Sequence, residues 1–562
     1  MGTLDVGEHP STLEAQGVRL RSFLFDFIAL ALILVAPFVI LLTFNDYSFA
    51  TPEVLLILAI ALGVAALLAV LLGFVGRIAW AVVIAALLAL FIDVQVTLPR
   101  GLSLAVMLGF LVATAALAAL LLLVREHATK ILSVVFVTLL ALTLVRGHAD
   151  THRIVREQGA AAAAGESSQP LLIHLLLDEH IGIEGLPPEV PHARELRTDL
   201  IDFYTSRGFR LFGGAYSQYA NTFNSIANLL NFAARDVDHP DLTLDADDES
   251  WDLRRATYFR LLQQRGYRLH VYQSTYMDLC HAEGLQPHDC TTYPVASLGM
   301  LQDLKLPAAE KASAIANAIV TQSSILRVLN KVYERGVRPV LLRASVQAPA
   351  WRWQPPSFGP LLAPQVFDRL RADVVAHPRG NAYFAHLVFP HYPYVFDRRC
   401  TLRSRTAEWL TNRIASTNVL VYNTADSRAQ RYERYFEQIR CVLTELDELL
   451  DELDSRGLLK DAIVIVNGDH GSRIPTHFPS GATLAGGVLT EQDYRDTFST
   501  LYAIKAPGVS PGYVDDPLSV VELLDHHVAG EPLNESSSCR VFLLDEQGNG
   551  TIAAAQPKFC SP

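Results

Sequence analysis

The chain has 562 residues, half of them hydrophobic and 19% charged, with a mean hydropathy of +0.24 and a formal net charge of −12. That hydropathy is too high for an ordinary soluble protein of this length, while 46 basic and 58 acidic residues are too many for a membrane bundle alone. Disorder and a collagen-like repeat are excluded, and an acidic balance without a dense Lys/Arg cluster argues against a nucleic-acid partner.

The charges are unevenly placed. Between Ile28 and Val145 they are Asp46, Glu53, Arg77, Asp93, Arg100, Arg125, Glu126 and Lys130. A helix needs about 20 apolar residues to cross a bilayer. Phe27–Phe44, Val54–Val75, Ile78–Val96 and Leu102–Val124 meet or approach that length, and the shorter Ile131–Val145 makes a fifth span. The first run is long for a signal peptide and more spans follow it. Residues 1–147 are therefore expected to form a five-helix transmembrane anchor. Arg19, Arg21, Arg77, Arg125 and Lys130 fall on one side of such a bundle, and Asp46, Glu53 and a lone Arg100 on the other. The positive-inside bias places the N-terminus in the cytoplasm and everything after about Arg146 outside.

All six cysteines lie beyond the spans: Cys280, Cys290, Cys400, Cys441, Cys539 and Cys560. An even count in an exported domain reads as up to three disulfides, with about 15 connectivities open. Cys280–Cys290 and Cys539–Cys560 are the local pairings, which leaves Cys400 with Cys441.

Residues 148–169, rich in Ala, Gly and Ser, read as a linker or juxtamembrane helix, and 170–562 as the exported catalytic domain. There the apolar run Pro170–Leu177 ends in Asp178-Glu179. Asn381–His391 and Asp461–Gly471 have the same form, and the strongly helical Arg431–Arg456 precedes the last. Apolar runs of this length are buried strands, and their alternation with helices predicts an α/β fold with a mainly parallel sheet. In such sheets ligands gather at the carboxyl ends of the strands. Asp178-Glu179 offers oxygen ligands there, and Gly468-Asp469-His470-Gly471 a carboxylate and an imidazole. A third motif, Asn221–Leu230, sets Thr222 at the start of an amphipathic helix. Either Asn221 or Thr222 caps that helix, or the Thr222 hydroxyl faces an anion among its unpaired N–H groups, where a metal would make it a nucleophile.

The order of these motifs resembles the alkaline phosphatase and sulfatase superfamily, and within it the membrane-anchored branch of phosphoethanolamine transferases and lipoteichoic acid synthases. That branch has five spans, an exported domain, a Glu after the first strand, a nucleophilic Thr and a late Asp-His-Gly. The resemblance implies a sulfatase-like fold with Glu179, Thr222, Asp469 and His470 as metal ligands and Asp178 as an additional or supporting one. It makes Thr222 the nucleophile, three residues before Ser225, as the modified Cys of sulfatases precedes a Ser. His386 and His391, five apart, look like the paired histidines of the transferases; His391 is the expected acid–base group, and His386 a substrate contact or a core residue. Arg473, His477 and Ser225 complete the expected substrate-binding set. The chain also departs from the pattern. No Cys-x-Pro-Ser-Arg occurs, which argues against a formylglycine sulfatase; Ala227 stands where several transferases have Pro; and Asp178-Glu179 is closer to the Asp-Asp of sulfatases.

The expected cofactor is one or two divalent ions, zinc first, with manganese, magnesium or calcium also suited to three oxygen ligands. The implied function is transfer of a phosphoryl-containing headgroup, of phosphoethanolamine or phosphoglycerol type. It would move from a membrane lipid donor to a glycan or lipid acceptor through a threonine-linked intermediate, at the outer face of a bacterial inner membrane. A phosphate- or sulfate-ester hydrolase is the alternative enzyme. An inactive envelope-assembly factor is the alternative outside catalysis, opposed by the intact Glu179, Thr222, Asp469 and His470.

Overall fold

Among the described residues five single helices are long and apolar enough to cross a bilayer: α1 (Thr12–Phe44), α2 (Pro52–Leu72), α3 (Arg77–Gln95), α4 (Leu104–Val124) and α5 (Ala128–Val145). They belong to a computed structural model that describes residues 12–96, 104–124, 127–145, 153–159, 168–232, 242–245, 250–344, 346, 358–409, 420–533, 539–544 and 551–560. The expected breaks at Pro99-Arg100-Gly101 and Arg125-Glu126 lie outside those residues. Small residues let the helices approach. Ala61, Ala65 and Ala69 make a buried stripe on α2, and Ala81, Ala85 and Ala89 a second on α3. Leu55, Ile60, Leu67 and Leu71 of α2 are exposed, as lipid-facing positions are.

Residues 297–356 group with these helices, although strands of the other unit precede and follow them in sequence. A single boundary near residue 148 does not anticipate this return. The helices Ala308–Gln322 and Ser324–Asn330 are together long and apolar enough for a span, but Asn317, Thr321, Gln322, Ser323 and Ser324 interrupt the apolar run and the pair is bent by 102°, so no straight apolar stretch marks it in the sequence.

The second unit comprises residues 153–296 and 357–562. Its strands are β1 (Val155–Gln158), β2 (Leu172–Leu177), β3 (Arg210–Phe212), β4 (Leu242–Asp245), β5 (Ser250–Leu253), β6 (Arg268–Ser274), β7 (Met277–Asp278), β8 (Asp289–Tyr293), β9 (Asn381–Leu387), β10 (Ile463–Gly468), β11 (Tyr502–Lys505), β12 (Gly512–Val514), β13 (Val541–Leu544) and β14 (Thr551–Ala555). Nine of them form one sheet in the order β1-β8-β6-β9-β2-β10-β11-β3-β12. The five strands from β8 to β10 run parallel, while β1 and β11 pair antiparallel at either side, so the sheet is mixed. The parallel centre follows from the sequence: Leu172–Leu177 and Asn381–Leu387 are buried at every position, as strands covered on both faces must be. Within residues 148–169, where a linker or juxtamembrane helix is expected, Val155–Gln158 form the edge strand β1. Its register on β8 is fixed by Arg156, which donates to Asp289 (2.5 Å) and Asp373 (3.0 Å).

Two polar groups cross the apolar centre. His174 of β2 lies 2.6 Å from Asn467 Oδ1 of β10 and 3.0 Å from the Tyr258 hydroxyl, and burial lowers its pKa to about 4, so it is neutral. The helix Ala425–Ser455 starts at Thr424, whose side chain accepts from the Ser427 amide (3.2 Å), and buries Tyr432, Tyr435, Phe436, Ile439, Val442 and Leu446.

Cys280–Cys290 and Cys400–Cys441 are disulfides and Cys539 is disulfide-bonded; the side chain of Cys560 lies outside the described residues. Among the described residues no cysteine is free. Cys400–Cys441 closes a separation of 41 residues, which in the chain-entropy picture contributes about 4 kcal/mol. Replacing both with Ala is expected to lower the midpoint of thermal unfolding in detergent by about 5 °C. An unchanged midpoint would show that the bond adds no stability.

Candidate active site

The strands β9, β2 and β10 are parallel neighbours, so their carboxyl ends open at one edge of the sheet. Asp178 and Glu179 follow β2, Asp469 and His470 follow β10, and His386 lies in β9 with His391 in the loop after it. Thr222 is the first residue of its helix. Asn221 is the N-cap, but its side chain makes no capping bond. The Thr222 hydroxyl instead faces Asp178 (3.4 Å to Oδ1) and His470 Nε2 (3.3 Å). Neither capping reading of this motif describes what its side chains do.

The carboxylates divide into two groups. Asp178 lies beside Thr222, His386 (3.5 Å) and His470 (3.9 Å), and His470 is also 3.2 Å from Asp469. Asp469 Oδ1 accepts from the amides of Glu179 (2.9 Å) and His470 (2.8 Å). Glu179 turns elsewhere. It has φ 65° in the left-handed region, and its carboxylate lies 3.5 Å from His391 Nε2 and accepts from the Tyr392 amide (3.4 Å). Its carbonyl accepts from the Tyr435 hydroxyl, which in turn accepts from the Ile181 amide (2.8 Å), so the helix Ala425–Ser455 holds this turn in place.

The electrostatics show a site short of positive charge. Burial, followed by the neighbouring Asp178, pushes the Asp469 carboxyl well up. Burial also works against ionised Asp178, but His391, His386 and His470 outweigh it and hold that carboxyl low. Two facing carboxylates do not ionise together without a cation. Burial lowers His470 to about 4, leaving a neutral imidazole suited to a metal. Asp469 Oδ2 is buried with no hydrogen-bond partner. Asp178, Asp469 and His470 offer ligand atoms within 4.8 Å of one another. A divalent ion fits this donor set.

The other expected residues fall as follows. His386 is fully buried within β9, facing Asp178. Ser225 lies below Thr222, with its hydroxyl 3.1 Å from Ser217 and donating to the Tyr219 carbonyl (3.2 Å). His477 is bound to Asp493 through its amide (2.9 Å) and ring (3.3 Å), and is not brought to the cluster. Arg473 has φ 51°; burial works against its charge, but Glu179 and the surrounding Tyr422, Tyr392 and Tyr276 outweigh it, and the guanidinium stays charged.

Sequence reasoning missed those tyrosines and also Gln438. The Gln438 amide donates to the carbonyls of His391 (2.8 Å) and Pro390 (3.0 Å) and accepts from the amides of Val395 (2.8 Å) and Phe396 (3.2 Å). Cys441, one turn on, bonds Cys400, so one helix face holds the loop carrying His391. Only the contact reveals such a role, since a buried Gln in a helix has no signature of its own. Gln438→Leu strips this loop of its partners and is expected to lower turnover about 100-fold with metal content intact. Rate assays with elemental analysis check it; an unaltered rate would remove the positioning role.

No protein-family model matches the chain. It is similar to a lipoteichoic acid synthase of Staphylococcus aureus, 23% identical over 154 residues, 27% of this chain and 21% of the synthase. The chain thus spans about a fifth of the length of the curated relative it matches. Among solved structures it is similar to the C-terminal periplasmic domain of EcEptC from Escherichia coli in complex with zinc, at 12% identity and a TM-score of 0.37, over 70% of this chain and 95% of that one. It is also similar to the phosphonate monoester hydrolase SpPMH from Silicibacter pomeroyi, at 15% identity and a TM-score of 0.34, over 68% and 81%. The sequence match, together with the motif order, supports the alkaline phosphatase and sulfatase superfamily.

Proposed function

We propose that the protein is a membrane-anchored, metal-dependent transferase with its catalytic unit exported. It moves a phosphoryl-containing headgroup from a lipid donor to an envelope glycan or lipid. The observation that carries this reading is the Thr222 hydroxyl, buried 3.4 Å from Asp178 and 3.3 Å from His470 and unused in capping. Asp178, Asp469 and His470 would hold a divalent ion, with Thr222 at their edge. Such an ion lowers the pKa of an adjacent hydroxyl and offsets charge on phosphoryl oxygens.

Thr222 Oγ1, its proton passing to the Asp178 carboxylate 3.4 Å away and returning when the ester is cleaved, attacks phosphorus as the bond from phosphorus to the lipid oxygen breaks. Burial disfavours the charged form of His391, but Glu179 and Asp178 outweigh it and raise its pKa, which suits it to give that oxygen a proton. The charged Arg473 orients the phosphoryl oxygens. An acceptor hydroxyl then attacks the threonine ester, returns a proton to His391 and frees Thr222.

Intact-mass measurement of the purified chain after incubation with membrane lipids tests this. A phosphoethanolamine or phosphoglycerol adduct on Thr222, discharged by a glycan or lipid acceptor, is expected. Adduct discharge by water alone, at the same rate with or without acceptor, would make the protein a hydrolase.

A further inference from the structure

The segment 297–356 is bound to one end of the membrane helices by polar contacts. Asn45, at the end of α1, accepts from the Leu298 amide (2.9 Å), and Gln302 bonds the Asp46 carbonyl (3.0 Å) and the Ser48 amide (2.8 Å). Glu53 of α2, 2% exposed, accepts from the Tyr47 hydroxyl (2.6 Å) with Lys311 at 3.9 Å. Asp93, near the end of α3 and 6% exposed, accepts from the Ser323 hydroxyl (2.6 Å) and the Ile325 amide (3.0 Å). Acids inside membrane spans are costly and as a rule functional. Here Asp93 sits at the N-terminus of the helix Ser324–Val332, where a negative charge is favoured.

That helix leaves the preceding one, Ala308–Gln322, at a bend of 102° and continues through a π-helical turn, Tyr333–Val337, into Arg338–Arg343. Along it Leu329, Val332, Val337, Val340, Leu342 and Val346 are all exposed, Val340 by 60%. Among the described residues of the other unit, the exposed large hydrophobics are Val155 and Leu484. The same stretch carries Arg327, Lys331, Arg335, Arg338 and Arg343 against one acid, Glu334, in a chain of net charge −12. Aliphatic positions with a basic excess, on a helix packed against the membrane helices α3 and α4, are the composition of a helix lying in a bilayer interface.

We infer that residues 324–344 lie in the membrane–water interface at the end of the bundle holding the α1–α2 turn and the end of α3. Their aliphatic side chains enter the acyl boundary, and Arg327, Arg338 and Arg343 face anionic phospholipid headgroups. Asp93 and Glu53 anchor the segment.

The test uses the full-length chain in nanodiscs of phosphatidylcholine with or without phosphatidylglycerol. A single cysteine is introduced as Val340→Cys, or as Val332→Cys should the first fail to fold, and labelled with an environment-sensitive fluorophore. Leu484→Cys is the aqueous reference. The expected result is quenching by shallow spin-labelled lipid and about fivefold weaker quenching by aqueous iodide than at the reference. Arg338→Glu/Arg343→Glu should remove the extra protection that phosphatidylglycerol gives. Iodide quenching at position 340 or 332 equal to that at 484 overturns the interfacial placement. Equal protection in the two lipid compositions overturns the preference for anionic headgroups.

Discussion

Thr222→Ala is expected to lower turnover by about four orders of magnitude and to abolish the covalent adduct. The hydroxyl lies between Asp178 and His470 and makes no bond that holds the helix Thr222–Leu230 together. Its loss should therefore leave the fold in place, with unfolding shifted by less than about 1 kcal/mol. Thr222→Ser keeps the nucleophile without the methyl group that restricts its rotamer, and should retain part of the activity. Ser225→Ala removes two hydrogen bonds beneath the site, to Ser217 and the Tyr219 carbonyl, and should cost about tenfold or less. Intact-mass spectra and initial rates on the three variants decide the matter. An adduct that survives Thr222→Ala moves the nucleophile elsewhere, with Ser225 first in line.

The second large effect separates the two acids that follow β2. Asp178→Ala should lose the metal and the activity together, as should Asp469→Ala, because these carboxylates and His470 converge. Glu179→Gln should keep the metal, because its carboxylate lies beside His391 and the Tyr392 amide instead. What it should change is proton transfer. Glu179 is the leading charge raising the His391 pKa, so its neutralisation lowers that pKa. The protonated imidazole is then lost at lower pH, and the alkaline limb of the rate profile moves to lower pH with a rate loss of about 100-fold. Elemental analysis and pH–rate profiles read the two outcomes. Metal kept in Asp178→Ala and lost in Glu179→Gln would reverse the assignment.

The difference between these acids also shows where the sequence stops being informative. Hydropathy located all five spans and the apolar runs of β2, β9 and β10, because burial on both faces writes itself directly into residue type. It could not say which of two adjacent carboxylates faces the cluster. That depends on a residue in the left-handed region, Glu179 at φ 65°, which turns the chain between them. Family resemblance points to Glu179 as the ligand, while the geometry gathers Asp178 with Asp469 and His470. The return of residues 297–356 to the membrane helices was equally hidden. Its anchors are single polar residues, Asn45, Glu53 and Asp93, whose partners lie more than 200 positions away.

The buried pair His174–Asn467 bears on accuracy of assembly. A sheet built only of Leu, Ile and Val has many nearly equivalent alignments, because one aliphatic side chain replaces another at little cost. A slip of two residues between β2 and β10 would keep every side chain on its proper face, yet would carry Asp178 almost 7 Å along the strand relative to Asp469. It would also separate His174 Nε2 from Asn467 Oδ1, which lie 2.6 Å apart in the observed alignment, and leave these two atoms without a partner in a buried interior at about 1–3 kcal/mol each. Two buried residues that do not belong to the cluster thereby favour the one alignment of the sheet that brings its carboxylates together.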